Sequence, residues 1–208
     1  MANPVILIFQ TFGRFCSIFS PVAKLAGRFS RAFYTGYYSR GFRHFDSSSR
    51  IQPHVQALIG KKYISVGKKC HLGRNLQLTA WDSYEGQHFT PQISFGDNCQ
   101  IGDDSHITAV NSIRFGNNVL TGKRILVTDN AHGASDRSLL DLPPTLRPLY
   151  SKGPVVIEDN VWIGEKASIM PGVTIGKGSI IAANSVVTHD IPPYSIAAGT
   201  PARIIKTL

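Results

Sequence analysis

Aliphatic side chains recur every six residues through the last third of the chain, at Ile157, Ile163, Ile169, Ile175, Ile181 and Val187. Four residues after each stands a small or aliphatic one: Val161, Ala167, Val173, Ser179, Ser185 and Ile191. Gly164, Gly176 and Ala182 directly follow an aliphatic. A period of six matches neither the 3.6 of a helix nor the 2 of a long strand. It requires short strands separated by regular corners, with the aliphatic turned to the axis, the small residue in the crowded corner and Gly, Asn or Asp taking the turn. Three such sides close a coil of about eighteen residues, and coils stack at roughly 4.8 Å. Looser copies run upstream: Val66, Leu72 and Leu78; Phe95, Ile101, Ile107 and Ile113; and, after a slip of two, Phe115, Thr121 and Val127. The expected fold class is all-β, a parallel β-helix.

Cys70 and Cys99 fall on the small corner position and read as core packing. With Cys16 they make an odd number without CxxC spacing, which points away from a disulfide framework or zinc site and toward a reducing compartment. The net charge of +9 is uneven, since residues 1–50 hold seven basic side chains and one acid. The front end therefore calls for an anionic partner more than the body does. No nucleic-acid partner is expected, because the basic residues of the body are scattered and no nucleic-acid-binding motif accompanies them.

Residues 4–33 read as helix, split at Ser20-Pro21, a cap residue followed by a proline at the first helical position. At 100° per residue Phe12, Phe15, Cys16, Phe19, Val22, Ala26, Phe29 and Phe33 share one face, and Arg14, Lys24, Arg28 and Arg31 cluster opposite. Such a helix either caps the first coil, whose strand edges are otherwise open, or lies on a membrane surface; the two roles are compatible. The chain divides into an amphipathic helical extension, 1–50, and a β-helix domain, 51–208. No cleaved signal peptide and no spanning segment is expected. The expected location is the cytoplasm, with peripheral contact to the inner membrane surface as the second option for the extension.

The repeats break at 79–92 and 129–154, and long loops inside a compact domain are usually functional. The first holds Trp81, Tyr84, His88 and Phe89, candidates either for walling an acceptor site or for packing the loop on itself. The second opens with TDNAHG.

The segment VVIEDNVWIGEKASIMPGVTIGKGSIIAANSVVTHDIPPYSIAAGTPARIIK, residues 155–206, resembles the hexapeptide-repeat acyltransferases, and a looser likeness reaches back to residue 64. Within that superfamily the chain looks most like the sugar O-acetyltransferases of lipopolysaccharide and capsule synthesis. It looks somewhat less like the maltose and galactoside acetyltransferases. The resemblance implies a left-handed coil, against the usual right-handed crossover. It implies a homotrimer, acetyl-CoA as co-substrate, no metal, and a sugar hydroxyl, of a surface polysaccharide or its lipid-linked precursor, as acceptor. His132 of the TDNAHG run matches the family's catalytic histidine, a general base suited by its near-neutral titration. Asp129 is a candidate to orient or polarise the imidazole, a task a backbone carbonyl can also perform. For acetyl-CoA the resemblance implies Trp162, Glu165, Ala183, Thr188, His189, Arg203 and Lys206. The chain departs from the family at His189, where lysine is common, and at Glu165, which replaces a small polar residue. Gly102 stands where the galactoside branch has an acceptor-holding asparagine, so a different acceptor mode is expected. Rival readings are N-acetylation of an amino sugar nucleotide, a non-enzymatic scaffold, and a zinc carbonic anhydrase that would need His71 and His106 to converge on a metal.

Overall fold

The computed structural model describes residues 4–17, 20–134 and 136–208. From His44 onward the described residues wind six coils and begin a seventh, each with one short strand in each of three parallel sheets. Sheet A holds His44–Phe45, Ile64–Val66, Gln92–Phe95, Ser112–Phe115, Val155–Ile157 and Thr174–Ile175. Sheet B begins with Arg50–Ile51 and His71–Leu72, sheet C with Ala57–Ile59 and Gln77–Ala80, and the chain visits A, B and C in turn. The coil starts at His44, because His44–Phe45 pairs in parallel with Ser65 and Val66. The division expected at residue 50 therefore moves toward the N-terminus.

The six-residue aliphatics form the axis. Val66, Leu72, Leu78, Phe95, Ile107, Phe115, Val127, Ile157, Ile163 and Ile169 lie in one buried cluster with Ile175, Ile181 and Val187. Phe95 and Phe115 stack at 4.7 Å between ring centroids on successive coils. Cys70 and Cys99 are buried, and their Sγ atoms donate to the carbonyls of Gly96 and Gly116, each at 3.0 Å. The adjacent Cys70 sulfur and burial together hold the Cys99 thiol above its ordinary pKa. At the A–B corner, Asn98, Asn118 and Asn160 take φ of 59°, 57° and 59°. Asparagine tolerates this left-handed turn, and its side chain adds a ladder: Asn98 donates to Asn118 at 3.1 Å and Asn118 to Asn160 at 3.0 Å.

The extension is two helices, α1 (Pro4–Ser17) and α2 (Ser20–Ser39). Helix α2 runs past the expected end at 33. Tertiary anchoring overrides the modest helix propensity of Phe33–Tyr38: Thr35 Oγ1 donates to the Ile51 carbonyl at 3.3 Å and accepts the Ile51 N–H at 3.2 Å. Tyr38, Phe42 and Phe45 then pack on the core. The first coil is thus covered by residues beyond the amphipathic stretch, while Phe12 (63%), Phe29 (67%) and Phe33 (68%) stay exposed. Phe19, assigned to the same face, lies outside the described residues. No single helix among the described residues is long and apolar enough to cross a membrane, and α1 and α2 are separated by a 54° bend.

Both insertions leave from the corner between sheets C and A. The first begins at residue 81, not 79, because Thr79 and Ala80 pair with Thr108 and Ala109 on the next coil. The second leaves after Thr128, and sheet A resumes at Val155. At the far end Ala202–Thr207 turns back antiparallel on Ser195–Gly199 and closes sheet B.

Candidate active site

The turn that launches the second insertion is fixed by a buried carboxylate. Asp129 is fully buried and accepts the backbone N–H groups of Val110 and Asn111, each at 2.9 Å, and the Asn130 amide at 3.1 Å. Its oxygens are thus committed to the preceding coil, not to His132, and the expected pairing with the imidazole is not formed. Among the described residues no hydrogen bond reaches either ring nitrogen of His132.

His132 lies three residues beyond Asp129, exposed, in the short strand Ala131–His132 that pairs antiparallel with Leu149–Tyr150. The hairpin of the first insertion, Ser83–Tyr84 with Gln87–His88, holds this pair from the other side. The Gln87 amide donates to the Leu149 carbonyl at 3.2 Å and accepts the Leu149 N–H at 2.6 Å. Tyr84 donates its hydroxyl to the Thr145 carbonyl at 2.8 Å and sets its ring edge-on to His132, centroids 5.4 Å apart. The hairpin's base is tied to an earlier coil through Asp82, which meets Lys62 at 3.0 Å and accepts from the Tyr63 hydroxyl at 3.1 Å. The Lys62 ammonium holds the Asp82 carboxyl below its ordinary range.

Between the two insertions and the outer face of sheet C lies a pocket of about 360 Å3. Trp81, Tyr84, His132 and Leu149 wall it, and Thr79, His106 and Thr108 are among the residues of its floor. Burial pushes the His106 imidazole below its ordinary pKa, so the ring favours the neutral form. Thr79 lines this pocket, and its buried Oγ1 has no hydrogen-bond partner among the described residues. Of the four candidates in the first insertion, Trp81 and Tyr84 line this pocket, whereas His88 and Phe89 line a separate depression with Asn111 and Ser151. Gln87 and Thr79 carried no motif signal. His71 and His106 stand on different sheets, B and C, and do not converge.

None of the seven residues assigned to acetyl-CoA lines the His132 pocket. Trp162 stands on the outer face of sheet B, 51% exposed, and Glu165 and Ala183 follow it at the corner between sheets B and C. There the Glu165 carbonyl accepts the N–H of Asn184 at 2.9 Å, stacking the two corners. Arg203 and Lys206 lie on the closing strand, opposite Ala198 and Ile196 of sheet B. Thr188 and His189 follow Val186–Val187 at the C–A corner, the one His132 springs from, with Thr188 Oγ1 2.9 Å from His189 Nδ1. The assigned groups therefore divide between sheet B with its B–C corner on one side and the C–A corner on the other, separated by the whole of sheet C.

Residues 154–189 match the family model described as bacterial transferase hexapeptide (six repeats). A galactoside O-acetyltransferase of Lactococcus lactis is 33% identical over 170 residues, covering 79% of this chain and 73% of the relative. WbbJ of Escherichia coli (strain K12), named for lipopolysaccharide biosynthesis O-acetyl transfer, is 42% identical over 118 residues, 55% of this chain and 60% of the relative. The chain thus spans under two thirds of several of the curated relatives it matches. A maltose O-acetyltransferase from Clostridium difficile 630 superposes with a TM-score of 0.54 at 31% identity, covering 71% of this chain and 72% of that one. AntD, an N-acyltransferase from Bacillus cereus, reaches a TM-score of 0.66 at 19% identity over 80% of this chain and 84% of that one, a likeness of fold. Repeat, parallel sheets and neighbours together identify the left-handed β-helix.

Proposed function

Since the chain belongs to the hexapeptide-repeat transferase family, we propose that it transfers the acetyl group of acetyl-CoA to a hydroxyl of a sugar-containing acceptor, with His132 as general base. The observation that carries this reading is the placement of His132 in the wall of a preformed pocket, held there by two insertions that bond to each other. In the step itself the imidazole takes the hydroxyl proton as the oxygen attacks the thioester carbonyl. The C–O bond forms, the C–S bond breaks, and the proton passes on to the departing CoA sulfur. The surroundings suit a sugar: Trp81 offers a flat apolar wall, while Thr79, Thr108 and Gln77 offer hydroxyl and amide groups. Incubating the protein with labelled acetyl-CoA and a panel of free, nucleotide-linked and lipid-linked sugars tests the reading. Label transferred to no hydroxyl acceptor would refute it, and label on an amine alone would favour the N-acetyl alternative.

The division of the assigned residues between two corners supports a homotrimer. In a threefold ring of parallel coils, the B–C corner of one copy, with Trp162, Glu165 and Ala183, meets the C–A corner of the next, with His132, Thr188 and His189. Arg203 and Lys206 then supply positive charge for CoA phosphates at the closed end. Equilibrium sedimentation checks this, and a stable, active monomer would exclude it. The exposed apolar face of α1 and α2, with Arg14 and Arg28 on the opposite arc and no acid before Asp46, supports peripheral contact with an anionic membrane from the cytoplasmic side.

A further inference from the structure

A second concavity, of about 380 Å3, lies on the outer face of sheet B near the N-terminal end of the coil. Its floor includes corner backbone at Gly73 and Gly102, where a Cβ would collide with the backbone of the next coil, so it stays flat. Arg31 of α2, Gln52, His71, Arg74 and Gln100 contribute to its walls. Arg31 is positioned by Thr35, one turn along the helix, through the paired bonds to Ile51. Among the described residues neither Arg31 nor Arg74 is in an ion pair. The one acid in the lining, Asp103, accepts the Arg74 backbone N–H at 2.9 Å and meets Lys123 at 3.6 Å, so its charge is already shared. The result is a concave surface of mostly donor groups, two of them guanidinium forks suited to phosphate oxygens.

The groove also has a direction. Strand register sets Arg50, His71, Gln100, Leu120 and Trp162 in one outward column. At roughly 4.8 Å per coil the basic end lies about 14 Å from Trp162. It draws on the first four coils, level with the His132 pocket, whereas Arg203 and Lys206 lie at the far end of the coil.

We propose that this groove binds the phosphate or diphosphate through which the acceptor sugar is joined to its carrier. The inference rests on the acetyl-transfer reading for the identity of the ligand as acceptor. In the threefold assembly the groove of one copy stands level with His132 of a neighbour, so that the sugar reaches the base while its phosphate stays on the arginines. A nucleoside diphosphate sugar and a polyprenyl diphosphate sugar share this chemistry.

Calorimetric titration of the full-length protein with inorganic pyrophosphate, UDP and farnesyl diphosphate tests it. Pyrophosphate should bind, and the Arg31→Ala/Arg74→Ala double variant should lose about tenfold or more in affinity, as expected for lost charge-assisted hydrogen bonds. Tighter binding of UDP points to a nucleotide carrier, and tighter binding of farnesyl diphosphate to a lipid one. The proposal is overturned if none of the three binds, if the double variant binds pyrophosphate within about twofold of the wild type, or if saturating CoA displaces pyrophosphate. Acetyl transfer to a phosphate-free sugar, assayed separately, should be unchanged in the double variant. Full activity of His132→Ala would sink the catalytic reading while leaving the binding result standing.

Discussion

Gln87 and Leu149 are joined by two hydrogen bonds, 3.2 and 2.6 Å, through which one side-chain amide satisfies both backbone polar groups of a residue 62 positions away. Leu149 is the cross-strand neighbour of His132, so the amide acts as an extra strand on the far side of the histidine's hairpin. Gln87→Ala is expected to lower kcat by about tenfold while leaving the KM for acetyl-CoA near its wild-type value, because it misplaces the base without touching the B–C corner. Steady-state kinetics with each substrate varied will show the split, and a KM change without a kcat change would deny the positioning role.

His132→Ala should leave the coil folded, since the side chain is exposed and lies outside the six-residue register. Turnover should fall by roughly 10²–10⁴, the usual worth of a general base. Retention of more than about a third of wild-type turnover, with chemistry limiting, would remove His132 from the mechanism.

Asp129→Asn replaces an acceptor-only group that serves two backbone N–H donors with one that offers a single oxygen, so one buried donor loses its partner. The expected cost is about 1–3 kcal/mol of stability, measured by chemical denaturation. Because the carboxylate does not touch the imidazole, the pH dependence of kcat should stay where it is in the wild type. A displaced profile would restore Asp129 as the partner of His132.

The depressed pKa of His106 has a signed consequence. As pH falls through the unfolded value of about 6.5, the unfolded chain takes up a proton that the folded chain resists, so stability present above that value is lost below it. Melting temperatures between pH 7.5 and 5, a range set to straddle that value, should therefore drop more for the wild type than for His106→Gln. Parallel curves would show that the site does not disfavour the charged ring.

Flotation with vesicles addresses the extension. The full-length protein should rise with phosphatidylglycerol-containing vesicles at low salt and stay down with neutral ones, as charge and apolar burial act together. Replacing Phe9, Phe12 and Phe29 with serine should abolish the effect without changing the coil, since these side chains are exposed. Equal sedimentation of both proteins under all conditions would confine the extension to covering the first coil.

Most of the coil was legible because every turn repeats one environment, so Ile157, Ile163 and Ile169 advertise the same inward direction at a fixed interval. The first coil was not. Its inward residues Phe45, Ile51 and Leu58 are unevenly spaced, and besides the next coil Phe45 meets Phe42 of the connector and Ile51 bonds to Thr35 of the helix. The end of α2 was hidden for a related reason, since Thr35 is held by Ile51 rather than by any local preference. In the site, the motif pointed to His132, which the structure sets in the wall of a pocket. The partners of Asp129 were not, because they are backbone amides 18 and 19 residues away on the preceding coil. The Gln87 bonds likewise leave no periodic trace.

The reversed strand Ala202–Thr207 has a consequence for how copies of this chain meet. A stack of parallel coils is a template on which another coil could grow, and two such molecules placed end to end would propagate as a fibre. By running backwards along Ser195–Gly199, the last strand presents the wrong polarity for continued winding, while Tyr38 and Phe42 obstruct the opposite end. Growth is thereby blocked along the axis, which leaves the sides, where Trp162 and His132 lie, for the association proposed above.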